Sequence, residues 1–166
     1  MVLKTYLQYR LTLLNHNQME LKKINKDAEL LQELIINNKD IDGFYGDGKN
    51  IPEIAEIPIK HDFADQVYLR QMTMEKDQVV VGAIHNHKHI WFLMKGKITV
   101  NDNGEIIDHI APCYMVSEPG SKRIIYAHEN SIFVNIHKNP SNTKDIKKLE
   151  KEIVSMTMGE FNKKNN

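Results

Sequence analysis

The spacing of apolar residues changes twice along this chain. Over residues 3–37, apolar positions recur every three or four residues, which predicts one or two amphipathic helices. Over residues 66–138 the period becomes two, in short β-branched and aromatic runs separated by turn sequences such as NDNGE. The helical period returns over residues 144–156, where Asn142 or Thr143 is a suitable N-cap.

Short strands with no helix between them predict an antiparallel sandwich or barrel. A stretch rich in Gly, Pro, Asn and Asp, NNKDIDGFYGDGKNIPEIAEIP, precedes them and predicts an irregular connector. We therefore expect a mainly β protein with this organisation: an N-terminal helical segment over residues 1–40, a connector over 41–65, a β-barrel over 66–138, a C-terminal helix over 139–158 and a flexible tail over 159–166.

Charge and composition exclude several classes of partner. Lys and Arg together number 22, the same as Asp and Glu, so the formal net charge is zero and favours neither nucleic acid nor an anionic membrane. No stretch reaches the ~18 apolar residues of a membrane span, and the N-terminus lacks the cleavage site of a signal peptide. Cys113 is the only cysteine and lies in an apolar run, which favours a buried, inert thiol over a reactive one. We expect a cytoplasmic protein.

Three histidines occupy alternate positions in the stretch IHNHKHIWFLMKGKITV. On a strand, His85, His87 and His89 share one face, and imidazoles are common ligands of Zn, Fe, Ni and Cu. An ideal strand separates His85 from His89 by roughly 13 Å, so all three cannot bind one ion unless a bulge bends the strand. One pair is then expected to bind, with a further ligand from His137 at the end of another apolar run. The alternative is a set of histidines that are hydrogen-bonded in the core or exposed at a strand end.

Two sequence stretches resemble the two half-motifs of a cupin, a small double-sheet β-barrel. They are HNHKHIWFLMKGKITV and IIDHIAPCYMVSEPGSKRIIYAHENSIFVNIHK, within residues 67–138. More narrowly, the chain resembles small cupin-like proteins of bacteriophages and prophages, in which a helical segment precedes the barrel. The resemblance implies a jelly-roll fold with helical extensions at both ends and a bound divalent transition metal such as Zn, Fe, Ni or Mn.

The chain departs from both cupin motifs. The first motif has His-x-His, then Glu, then Gly; alignment on Gly96 puts His89 in the place of the Glu and His85 in the place of the second His. Alignment on His85 and His87 instead leaves an aromatic residue in the place of the Glu. In the second motif, Arg123 stands where a His follows the Gly of Pro-x-Gly. These departures argue against the usual three-His-one-Glu site and favour an all-histidine variant.

Our reconstruction of this site takes His85, His89 and His137 as the metal ligands, with His87 nearby. If Arg123 replaces a ligand, its guanidinium points into the barrel mouth, where its planar fork fits a carboxylate or a phosphate. The alternative for Arg123 is an ion pair at the rim, with Glu118 or Glu129. Two aromatic residues, Trp91 and Tyr126, are candidates to line the same pocket; the alternative for both is core packing, which is favoured for Tyr126.

Three functions are compatible with these residues. The first is a metal-binding cupin-like protein that binds a small, anionic molecule, as a phage-encoded sensor or sequestering protein in the host cytoplasm; a nucleotide-like defence signal is one such metabolite. The second is a metal-dependent dioxygenase, isomerase or lyase, although Glu118 and Glu129 are the only carboxylates near the motifs outside hairpin turns. The third is a structural protein that uses the barrel as a scaffold. The amphipathic N-terminal segment predicts a homodimer.

Overall fold

The structure, a computed structural model, describes residues 28, 30, 31, 43–46, 57–102 and 104–165. Ala28, Leu30 and Leu31 are helical. The remainder of the predicted N-terminal helical segment lies outside the described residues.

Within this described part of the chain, ten strands form two five-stranded sheets. In the order of neighbouring strands, the first sheet contains β1 (Gly43–Gly46), β4 (Val79–Gly82), β10 (Arg123–Ala127), β7 (Lys97–Asp102) and β8 (Glu105–Ile110). The second sheet contains β2 (Ile59–Ala64), β3 (Val67–Met74), β11 (Ser131–Lys138), β6 (His89–Lys95) and β9 (Cys113–Ser117). All neighbours are antiparallel except β1 and β4, which are parallel. Two further short strands, β5 (Ile84–His85) and β12 (Val154–Ser155), pair with each other.

The hydrophobic core lies between the two sheets because alternate residues of each strand face the opposite sheet. The core residues come from both sheets and from the segment before β2: Ile57, Met72, Met74, Val80, Trp91, Leu93, Ile98, Val100, Ile125, Ala127 and Phe133. Full burial of each large apolar side chain contributes about 1.5–3 kcal/mol relative to exposure. The predicted mainly β, double-sheet barrel is confirmed.

On the outer face of the first sheet, Leu31 packs against Val79 and Val81.

The predicted connector is wrong in part, because β1 and β2 lie within residues 41–65. The sequence IKHDFA of β2 does alternate, with half-buried residues at every second position. β2 pairs with β3 over its full length, and these interstrand hydrogen bonds stabilise it as a strand. The Gly- and Pro-rich sequence before β2 gave no indication of this pairing.

The predicted single C-terminal helix is two helices, α1 (Ile146–Ile153) and α2 (Met158–Asn165). They are interrupted by β12, because tertiary pairing with β5 overrides the local helical preference. The N-cap of α1 is Asp145, whose side chain accepts a hydrogen bond from the Lys148 N–H at 3.2 Å, so neither predicted N-cap is used. The predicted flexible tail, residues 159–166, forms α2 up to Asn165. No helix in the described part of the chain is both long and apolar enough to span a membrane.

Candidate metal centre

A bend separates the two outer histidines of the triplet. The strand β5 ends at His85, β6 begins at His89, and residues 86–88 form the bend between them. The bend turns the imidazole of His85 back toward that of His89, so that their Nδ1 atoms lie 3.1 Å apart. The separation of roughly 13 Å expected for a straight strand therefore does not apply.

His137 completes a group of three imidazoles. It lies on β11, the neighbour of β6, and its ring centroid is 4.6 Å from that of His89 and 5.0 Å from that of His85. The three residues offer ligand nitrogens that all lie within 4.8 Å of one another. Two nitrogens bound to one tetrahedral zinc ion at ~2.0 Å are about 3.3 Å apart, which is close to the observed Nδ1–Nδ1 distance. The structure therefore brings together the three residues proposed from the sequence as ligands.

Buried ring nitrogens at this site have no hydrogen-bond partner within the described residues. These include Nδ1 of His137 and both ring nitrogens of His87. An unsatisfied buried polar atom costs about 1–3 kcal/mol, so such atoms are rare unless they serve a ligand. The donor set, three imidazoles whose ligand nitrogens lie close together, fits a divalent transition metal.

The histidines are neutral at neutral pH, which is the form that binds metals. Burial lowers the pKa of His87 to about 4, with the charge of Lys138 as a smaller cause. Burial, followed by the charge of Arg123, lowers the pKa of His89 to about 3. Burial and the neighbouring imidazoles also lower the pKa values of His85 and His137 well below the ordinary value.

His87 lies in the bend beside the three-histidine group. Its ring centroid is 5.4 Å from that of His137 and 6.3 Å from that of His89. It is outside the set of nitrogens that lie within 4.8 Å of one another. Both of its ring nitrogens are buried without a partner in the described chain. The structure thus places His87 next to the candidate ligands rather than among them.

Arg123 is buried at the same end of the barrel. Its Nε donates a hydrogen bond to Asp102 Oδ2 at 2.8 Å, and Ser121 Oγ donates to the same carboxylate. The ion pair considered as the alternative is present, but its partner is Asp102 rather than Glu118 or Glu129, because antiparallel pairing of β10 with β7 places Arg123 directly opposite Asp102. Glu118 pairs instead with Lys88. The Nη2 atom of Arg123 is buried and has no partner in the described residues.

A cavity of about 60 Å³ lies beside these groups. His85, His137 and Arg123 line it, together with three residues that were not predicted from the sequence: Tyr68, Arg70 and Glu150. Burial lowers the pKa of Arg70, while the nearby charges of Tyr68 and Glu150 raise it.

Two of these lining residues could have been predicted from the sequence. Tyr68 and Arg70 share the inward face of β3 with Met72, so their spacing of two residues indicates that they face the interior. Glu150 lies on α1. Its place in the cavity wall could not be predicted, because no local sequence pattern indicates where a separate helix docks.

Tyr126 does not line the cavity, so that prediction is wrong. On β10, Arg123 and Ile125 face inward, and alternation turns Tyr126 to the outer face. There it packs with Val79, and its hydroxyl donates a hydrogen bond to Asp77 Oδ1 at 2.5 Å.

Trp91 faces inward but belongs to the core below the histidine group. Its ring stacks on Phe133 with centroids 4.9 Å apart, and the ring of His109 meets it edge-on at 5.0 Å. It lines a separate groove of about 400 Å³ rather than the cavity beside Arg123. Trp91 therefore packs in the core and does not line the cavity beside Arg123.

Comparison with known proteins gives partial structural likenesses. No protein-family model and no curated protein sequence matches the chain. Among solved structures, a conserved protein with a double-stranded beta-helix domain from Klebsiella pneumoniae matches with a TM-score of 0.47 and 16% identity, over 55% of this chain and 84% of that chain. A cupin superfamily protein from Desulfitobacterium hafniense matches with a TM-score of 0.44 and 11% identity, over 53% and 84%. An acetylacetone dioxygenase from Acinetobacter johnsonii matches with a TM-score of 0.42 and 17% identity, over 48% and 58%.

These likenesses extend over about half of this chain, and we infer neither a ligand nor an activity from them. The narrower resemblance to proteins of bacteriophages and prophages stays a prediction.

Proposed function

We propose that this cupin-like protein binds one divalent transition-metal ion through His85, His89 and His137, and holds a small anion between the ion and Arg123. The observation that carries the proposal is the convergence of three neutral imidazoles, of which those of His85 and His137 line the cavity. When bound, the ion would act as a Lewis acid with coordination positions open to water or to a ligand oxygen. The donor set suits Zn, Fe, Ni or Mn and does not select one of them.

The charge balance of the site supports an anionic ligand. Three neutral imidazoles leave the charge of a divalent ion uncompensated. The positive charge of Arg123 is balanced by Asp102, and Glu150 stands near Arg70. An added anion would therefore neutralise the ion without competing with a carboxylate ligand, and the unpaired Nη2 of Arg123 offers it a hydrogen bond.

The size of the cavity supports a ligand of few atoms. The cavity volume of about 60 Å³ is small against the ~300–1,000 Å³ of sites for drug-sized ligands, and one water requires about 10–15 Å³. A carboxylate or carbonate-like anion fits this space. A nucleotide-like metabolite, considered from the sequence, exceeds it, so we favour small acids over nucleotides.

A second candidate function is a metal-dependent enzyme, and Glu150 is the observation that favours it. Glu118 and Glu129 are the only carboxylates expected near the motifs outside hairpin turns, whereas Glu150 brings a carboxylate to the wall of the cavity. Such a group can accept a proton from a metal-bound water or from a substrate.

The predicted homodimer stays a prediction, because residues 1–27 lie outside the described chain.

The test is metal analysis of purified protein, followed by calorimetric titration with acetate and bicarbonate. We expect one equivalent of metal, which is lost in His89→Ala and His137→Ala and kept in the control His109→Ala, whose ring contacts Trp91 outside the group. Arg123→Met should keep the metal and weaken anion binding about tenfold or more. Negligible metal in the wild-type protein, or metal unaffected by both histidine variants, would overturn the proposal and favour a scaffold role.

A further inference from the structure

Asn86 is the first residue of the bend and connects it to the C-terminal part of the chain. Its backbone N–H donates to Ile153 O at 2.8 Å, and its side-chain Nδ2 donates to Glu152 O at 3.1 Å. Its Oδ1 accepts a hydrogen bond from Ser155 Oγ at 2.7 Å. All three partners lie within residues 152–155, which we call the clamp segment.

The backbone of His85 is held on both sides next to this connection. Val154 of the clamp segment is its partner in the pairing of β5 with β12. On the other side, the Gly120 N–H donates a hydrogen bond to His85 O at 2.9 Å. The position of His85 is therefore determined by segments distant in sequence, and the bend that follows sets its approach to His89.

The clamp segment is itself firmly anchored to the barrel. Leu149 and Ile153 are fully buried against Tyr68, and Ser155 is buried. Lys164 of α2 donates a hydrogen bond to Val154 O at 2.7 Å. Ile153 and Val154 also form part of the cavity wall. The segment thus serves as a rigid support for the bend.

We propose that Asn86 is a positioning residue that transmits the docking of the clamp segment to the metal ligand His85. The role requires a donor and an acceptor in one short side chain. Aspartate would oppose an acceptor to the carbonyl of Glu152, and alanine offers neither group. This inference rests on the proposed metal site, because Asn86 is proposed to hold His85 at a distance from His89 that suits one bound ion.

The test uses Co²⁺ as the probe and compares Asn86→Ala with the matched control Asn165→Ala. Asn165 Nδ2 also donates to a main-chain carbonyl, that of Phe161 at 2.8 Å within α2, away from the bend in sequence. We expect Asn86→Ala to weaken Co²⁺ binding about tenfold, in line with groups that orient metal ligands, and to change the visible absorption spectrum of the bound ion. Asn165→Ala should leave both unchanged.

The outcomes separate this inference from the proposed function. If the wild-type protein binds no Co²⁺, the metal site itself is wrong. If it binds Co²⁺ and Asn86→Ala has the same affinity and spectrum, the positioning role is overturned while the metal site stands. If Asn86→Ala loses the circular-dichroism spectrum of the folded protein, Ser155→Ala replaces it in the test, since this change removes only the hydroxyl partner of Asn86. A wild-type Co²⁺ spectrum in Ser155→Ala would overturn the positioning role. A shifted Co²⁺ spectrum would support it.

Discussion

His85 and His89 place their Nδ1 atoms 3.1 Å apart, although four positions separate them in the chain. Two protonated imidazoles at this distance would repel each other, and burial adds to the cost of charging either one. Neutral rings can share a proton or bind one ion. This contact therefore links the shape of the bend, the protonation of the site and its capacity for metal.

The metal-free protein should lose stability as the pH falls below about 6.5. The pKa values of His87 and His89 are about 4 and about 3 in the folded state, whereas both titrate near 6.5 in the unfolded chain. Between these values the unfolded chain binds more protons, so the free energy of unfolding rises with pH across this window. One pKa unit corresponds to about 1.4 kcal/mol, which predicts a loss of a few kcal/mol by about pH 4.

Urea unfolding in the presence of a chelator, at a series of pH values, measures this dependence. The variant His87→Gln removes one titrating group and should flatten the curve below about pH 6.5. An unfolding free energy that is constant from about pH 7 to 5 would contradict the prediction.

Replacement of His87 should affect metal content less than replacement of His89. The nitrogens of His87 lie outside the group whose members are within 4.8 Å of one another, and His89 lies inside it. We expect His87→Ala to retain one equivalent of Zn²⁺ by elemental analysis after dialysis, and His89→Ala to lose most of it. Equal losses in the two variants would make His87 a ligand and require a different grouping of the histidines.

Much of the fold and the histidine site could be predicted from residue periodicity. A period of two identified the strands that carry His89 and His137, and the pairing of neighbouring strands brought those residues together. The same rule excludes Tyr126 from the cavity, since it lies three residues after Arg123 on one strand and must face the other side. That conclusion was available from the sequence.

The bend and the cavity wall could not be predicted in this way. Residues 86–88 continue the alternation of the histidines in the sequence, so nothing local marks the break in the strand. Its support comes from hydrogen bonds between Asn86 and the clamp segment, 66 or more positions away. Likewise, Glu150 reaches the cavity only because α1 docks there through Leu149 and Ile153. Long-range docking of this kind leaves no periodic signal.

Gly96→Ala should destabilise the protein by about 3 kcal/mol or more. Gly96 adopts φ +90° in the turn between β6 and β7, which L-residues disfavour. An added Cβ would also lie 2.8 Å from Asn130 O and would overlap Ser131. Thermal unfolding measures the loss.

The matched control for this glycine is Gly159→Ala in α2. The nearest atom to its added Cβ, Thr157 Oγ1, is 3.7 Å away, and alanine favours a helix by up to ~1 kcal/mol. We expect this variant to be neutral or slightly stabilised. A Gly96 variant as stable as the control would show that the turn relaxes without cost.

Asp102→Ala should destabilise the metal-free protein because it leaves the buried charge of Arg123 uncompensated. The Arg123 side chain is 5% exposed and that of Asp102 is 35% exposed, so we expect a loss of about 2 kcal/mol, below the value for a fully buried pair. The control is Glu118→Ala, which breaks the pair with Lys88, whose side chains are 66% and 61% exposed. That loss should stay below about 1 kcal/mol.

The same pair of variants tests whether Arg123 accepts an anion. With Asp102 removed, acetate or bicarbonate can take the place of the carboxylate, and a ligand that binds only the folded state raises its stability. Added anion should therefore raise the melting temperature of Asp102→Ala more than that of Glu118→Ala at equal ionic strength. An equal rise in both variants would indicate a general salt effect, and Arg123 would then be a structural ion-pair partner whose unpaired Nη2 does not receive a ligand.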